Sequence, residues 1–70
     1  MENEFNKKVG SKLYEARTEK GLEQEFVAKK IGKTQSYISK LENGVKKITA
    51  YELNELAKLY CKPYEYFIDS

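Results

Sequence analysis

The chain contains no histidine, no tryptophan and one cysteine, Cys61. Without histidine the usual Cys/His ligand sets for zinc cannot be assembled, and a lone cysteine cannot form an intramolecular disulfide. The same absences leave no Ser–His or Cys–His pair for nucleophilic catalysis. An enzyme is therefore not expected, and no metal or cofactor is called for. No stretch is apolar over the length a membrane helix needs, and the opening MENEFNKK is polar, without the apolar region of a targeting segment. A cytoplasmic, reducing compartment is expected, with no membrane partner and no small-molecule ligand evident. One proline and four glycines leave little room for long disorder.

What is present fits one small domain spanning residues 1–70. Forty per cent of the 70 residues are apolar, enough for a core but a marginal one, which favours a compact all-helical fold or a dimer. The formal net charge of +2 hides an uneven distribution. Six lysines and a single acid, Glu42, lie between Lys29 and Lys47, and the rest of the chain is net acidic. A basic middle of this kind suits one face to a polyanion.

The apolar periodicity is helical throughout, and no alternating strand pattern appears. Phe5, Val9, Leu13 and Ala16 form a stripe on a first helix from Glu4 to about Glu19. Gly10 interrupts it at a cost in helix stability and is expected to let another backbone come close. A second helix runs from about Glu23 to Ile31, stopped by Gly32. Thr34 caps a third that reaches about Glu42. Val45 to Ile48 is a basic loop. Thr49 and Glu52, three residues apart, form a capping box for a fourth helix with Leu53, Leu56, Ala57 and Tyr60 inside. Pro63 suits the first turn of a short fifth helix carrying Tyr64, Phe67 and Ile68.

The segment Gln24–Asn43, QEFVAKKIGKTQSYISKLEN, is the most specific feature. Ala28 is small where two steeply crossing helices need close approach. Gly32 sits where the chain must turn sharply, a conformation with positive φ that glycine adopts without penalty. Val27 and Ile31 give one helix its inner face; Ile38 and Leu41 do so for the next. With the flanking GLEQEFVAKKIGKTQSYISKLENG, VGSKLYEAR and ITAYELNELAKLY, the chain resembles the Cro/C1-type helix-turn-helix domain, the fold of the phage repressors, over nearly its whole length.

That resemblance implies a lambda-repressor-like bundle of five helices. It also implies a homodimer on an inverted-repeat operator, double-stranded DNA as partner and control of transcription, most simply repression. The third helix would enter the major groove. Gln35, Ser36 and Lys40 match the family's base-reading positions, with Tyr37 beside them. Gln24 would contact phosphate and brace Gln35; Lys33, Asn43, Lys46 and Lys47 would hold the DNA backbone. Arg17 and Glu42 match an ion pair between the first and third helices. The residues also depart from the family pattern. Glu23 stands where a Ser, Thr or Asn cap is usual, Lys33 replaces an uncharged turn residue, and Cys61–Lys62 replace a common glycine–valine pair. Cys61 is expected to be a small buried filler. The C-terminal aromatics exceed what one short helix can turn inward, so Tyr64, Phe67 and Ile68 are expected at a dimer interface. A protein-interaction module that keeps the fold without reading DNA is the alternative. It gives no reason for the third-helix surface to be basic.

Overall fold

The structure, a computed structural model, describes residues 3–68. Those residues form α1 (Asn3–Glu19), α2 (Gln24–Lys30), α3 (Gln35–Glu42), α4 (Ala50–Leu59) and α5 (Tyr64–Ile68). The helix starts follow local chemistry. Thr34 Oγ1 accepts from the Tyr37 amide at 3.2 Å to open α3. At α4, Thr49 Oγ1 accepts from the Glu52 amide at 3.1 Å while Glu52 Oε1 accepts from the Thr49 amide at 3.4 Å, completing the expected capping box. Glu23 occupies the N-cap of α2 and makes no capping hydrogen bond.

The ends of α1 to α4 share one geometry. The residue just past each cap has positive φ, and the amide after it reaches back to a carbonyl in the last turn, as Lys33 N does to Ala28 O at 2.8 Å and Lys62 N to Ala57 O at 2.9 Å. Gly21, Gly32 and Gly44 fill three of these positions; Cys61, at φ 58°, fills the fourth. Cys61 is therefore not the expected buried filler. It is exposed, and it holds a left-handed backbone because the chain must turn there.

Val9, Leu13 and Ala16 of α1 meet Val27, Ala28, Ile38, Leu41, Leu53, Leu56, Ala57, Tyr60 and Phe67 in one core. Two expectations change. Phe5 is 55% exposed, because the first turn of α1 runs past the core and burial begins at Val9. Phe67, expected at a dimer surface, is 2% exposed and fills the core, its ring edge-on to Tyr66 at 5.1 Å. A side chain so enclosed has no surface to offer a partner. Tyr66 is tied down instead: its hydroxyl donates to Glu15 Oε1 at 3.2 Å, and the Lys12 and Lys62 ammonium groups lie 4.7 and 4.6 Å from its ring centre. The Tyr60 hydroxyl is buried and finds no partner among the described residues, and that burial, with the Glu42 charge nearby, pushes its pKa up.

α1 passes the C-terminal end of α3 with almost no side chain between them. A Cβ on Gly10 would collide with the Leu41 carbonyl and stand 2.6 Å from that of Glu42. A Cβ on Gly44 would stand 2.7 Å from the Lys7 Cα. The mid-helix glycine costs α1 about 0.5–1 kcal/mol and fixes how closely α3 lies against it.

Replacing Cys61 with glycine should relieve the left-handed strain. A left-handed non-glycine residue costs about 1–2 kcal/mol, partly offset by the extra chain entropy of glycine. Cys61→Gly is expected to stabilise by up to about 1 kcal/mol and raise Tm by up to about 8 °C. A thermal melt that moves down instead would mean the thiol makes a compensating contact.

Candidate nucleic-acid interface

α2 and α3 are joined by a turn built on Gly32, and the inner faces of both helices are consumed by the core. With Ile38 and Leu41 buried, the residues left facing outward at the start and middle of α3 are Gln35, Ser36 and Lys40, all exposed. Asn43, Lys46 and Lys47 follow on the exposed loop after α3, where Asn43 Nδ2 donates to Ser39 Oγ at 3.4 Å. These expected base and backbone ligands are thus all exposed, on α3 and on the loop that follows it.

Gln24 is half-buried at the N-terminus of α2, and a chain of hydrogen bonds runs through it. Arg17 Nε donates to Glu42 Oε2 at 2.6 Å and Arg17 Nη2 to Glu42 Oε1 at 3.1 Å. Gln24 Nε2 donates to Glu42 Oε1 at 2.9 Å, and Gln35 Nε2 donates to Gln24 Oε1 at 2.6 Å. The expected pair of Arg17 and Glu42 is present as a two-pronged contact, and so is the brace between Gln24 and Gln35. The Arg17 and Glu42 side chains are 11% and 4% exposed, so the pair is shielded from water. Its hydrogen bond to Glu42 raises the Arg17 pKa against the opposing effect of burial. Arg17 Nη1 also donates to the Leu22 carbonyl at 2.7 Å, tying α1 to the segment entering α2.

Tyr37 and Lys33 are arranged differently from simple DNA ligands. The Tyr37 hydroxyl donates to Glu52 Oε1 at 2.6 Å, so its polar end is turned toward the start of α4. Burial and this hydrogen bond push the Tyr37 pKa up to about 12. Lys33 Nζ lies 3.5 Å from Glu52 Oε2 and 5.0 Å from the Tyr37 ring centre, with Lys46 Nζ 5.5 Å from the same ring. Burial alone would raise the Glu52 pKa, but the hydrogen bonds from Tyr37 and Thr49 and the Lys33 charge hold it below the ordinary value. The capping box marks Glu52 as a helix cap. Its second role, anchoring Tyr37 of α3, has no local spacing to reveal it.

The Helix-turn-helix family model matches residues 13–67. An uncharacterized HTH-type transcriptional regulator of Sinorhizobium fredii is 44% identical over 55 residues, covering 79% of this chain and 71% of that protein. An uncharacterized transcriptional regulator from the ATPase CF(0) region of Rhodospirillum rubrum is 37% identical over 59 residues, which is 84% of this chain and 55% of the relative. Among solved structures, the DNA-binding domain of BldD superposes with a TM-score of 0.83 at 30% identity, covering 97% of this chain and 99% of that one.

The shielding of the Arg17–Glu42 pair sets its expected energetics. Removing one member of a buried ion pair typically costs about 3–5 kcal/mol, against about 0–1 for an exposed pair. Arg17→Met and Glu42→Gln should each lower the unfolding free energy, read from urea titrations, by an amount in the first range. The double mutant should lose less than their sum. Additive losses would mean the pair contributes no coupling.

Proposed function

The chain belongs to the Cro/C1-type helix-turn-helix family, and from that premise we propose that it binds double-stranded DNA sequence-specifically and regulates transcription as a repressor. The observation that carries the reading is the outward face of α3. Gln35, Ser36 and Lys40 are exposed there, while Ile38 and Leu41 hold the opposite face in the core. In this fold α3 lies in the major groove with its N-terminal residues at the base edges. Glutamine suits adenine, lysine suits guanine, and serine tolerates either. Lys46, Lys47 and Asn43 on the following loop grip phosphates on one flank, and Gln24 at the start of α2 does so on the other. Such contacts fix position and carry little sequence information. Lys33, compensated by Glu52 in the free protein, adds a weaker backbone contact. Tyr37, with its hydroxyl given to Glu52, meets DNA only through its ring edge while it sets the rotation of α3.

One α3 per chain reads too few base pairs to specify a site alone, so the protein acts as a homodimer on an inverted repeat. Tyr64 and Ile68 of α5 are 37% and 36% exposed, and they are the surface proposed for the two-fold contact. They are remote in sequence from the basic segment, an arrangement compatible with both recognition helices staying free. The relatives are named as transcriptional regulators, and nothing in this mode of action calls for catalysis. Among the described residues no helix is long and apolar enough to cross a membrane. Action on cellular DNA would place the protein in the cytoplasm.

Selection from a random duplex pool is expected to return inverted repeats with half-site centres roughly 34 Å apart. Lys46→Ala and Lys47→Ala should weaken binding to every sequence alike and each lower the magnitude of the salt slope by about one. Lys40→Ala should instead relax preference at one base pair, costing about 1–3 kcal/mol on the best site. A uniform loss for Lys40→Ala would move that lysine from base to backbone, and a pool that yields no motif would sink sequence-specific binding.

The dimer surface has its own test. Sedimentation of Ile68→Glu and Tyr64→Ala, with helicity checked, should show monomers where the parent protein is dimeric. A variant pair that stays dimeric would place the interface elsewhere.

A further inference from the structure

The hydrogen-bond chain from Arg17 to Gln35 has a direction, and the direction reaches the DNA-facing surface. A carboxylate only accepts hydrogen bonds, and the Glu42 carboxylate accepts from Arg17 at both oxygens. The atom Gln24 presents to Glu42 at 2.9 Å must therefore be its amide nitrogen. That leaves the Gln24 oxygen facing Gln35, so the atom Gln35 presents to it at 2.6 Å must be a nitrogen too. Each amide in the row has its orientation dictated by the one before it, starting from a charge only 4% exposed.

We propose that the buried Glu42 carboxylate, acting through Gln24, fixes which edge Gln35 shows to the major groove and so sets its preference for adenine. With one N–H committed to Gln24, Gln35 keeps its free Oε1 and one remaining N–H. That is an acceptor beside a donor, the complement of adenine N6–H and N7. An amide free to turn over would also offer both N–H groups outward, which suits the O6 and N7 acceptors of guanine. Glu42 and Gln24 are positioning residues in this scheme: neither needs to touch the base. The proposal rests on the assignment of Gln35 to a base edge.

The scheme makes a specific statement about Glu42→Gln. With its oxygen on Arg17 Nε, the shorter of the two guanidinium contacts, the new side chain gives up the Arg17 Nη2 contact and turns an N–H toward Gln24. The Gln24 amide then reverses, giving its oxygen to residue 42 and its nitrogen to Gln35. Gln35 must then accept through Oε1 and present its two N–H groups to the groove.

The test measures relative affinities for four duplexes that differ only at the base pair where Gln35→Ala removes preference. The parent protein should favour adenine there by roughly tenfold or more. Glu42→Gln should move the preference toward guanine. Gln24→Met, which leaves the Arg17–Glu42 pair intact, should flatten it to within about threefold, well below one good base contact. Preference at the position read by Lys40 should not move in either variant, which separates a change in orientation from a general loosening of α3. If Glu42→Gln does not fold, Gln24→Met alone decides. Loss of preference in Gln35→Ala with adenine preference intact in Glu42→Gln and Gln24→Met would overturn the relay but leave Gln35 at a base. Preference that changes at no position in Gln35→Ala would overturn the base assignment itself, and the relay with it.

Discussion

The buried contact between Arg17 and Glu42 is the constraint on which the rest of the arrangement depends. Arg17 sits in the last turn of α1 and Glu42 in the last turn of α3, so the pair joins the two helices end to end. Two charges removed from water are unfavourable unless their geometry is good and their remaining hydrogen-bonding capacity is met. Both conditions hold. The guanidinium engages the carboxylate with two nitrogens and gives a third to the Leu22 carbonyl, while the carboxylate also accepts from Gln24. The same few atoms thus set the approach of α1 to α3 and the entry into α2.

A second, smaller network does for the other side of α3 what this pair does for its C-terminal end. Glu52 begins as a helix cap for α4 and also accepts the Tyr37 hydroxyl, with Lys33 alongside. α3 has only eight residues and would not be stable alone. It is held by apolar packing at Ile38 and Leu41 and by polar contacts on either flank. What stays unengaged, at Ser36 and Lys40, is a polar surface whose backbone orientation comes from its supports. Lys33 and Lys46 lie near one aromatic ring, so the positive charge at this edge is partly localised before any polyanion arrives.

Much of the fold is legible in the sequence because helix boundaries are written in local chemistry. Thr34, the Thr49–Glu52 pair, Gly21 and Gly32 each act within one turn of where they stand, and the periodic apolar residues of α2, α3 and α4 meet their expected core positions. The errors arise where the outcome depends on a partner. The spacing of Phe5 continues the α1 stripe, but periodicity does not say where the opposing surface ends. The count of aromatics at the C-terminus implies that some stay outside, but only the rotation of α5 decides that Phe67 is not one of them. Cys61 was legible as a departure from glycine, and its backbone angle follows from the turn that glycine normally makes. In the candidate site, the Arg17–Glu42 and Gln24–Gln35 contacts are implied by family resemblance and not by spacing. The Gln24–Glu42 and Tyr37–Glu52 links, 18 and 15 residues apart, carry no local pattern at all.

The side-chain-free crossing of α1 and α3 has a consequence for how this domain can diverge. In an ordinary core contact, enlarging one residue is accommodated by trimming its neighbour, and the pair drifts together. At Gly10 the neighbour is the carbonyl backbone of Leu41 and Glu42, and at Gly44 it is the Lys7 backbone together with the root of its side chain. Backbone cannot be trimmed, so no compensating substitution exists on the other side. These two positions are frozen by geometry, while the exposed residues of α3 are free to vary. The outward chemistry of α3 can therefore change by substitution on one surface while the platform presenting that surface stays fixed.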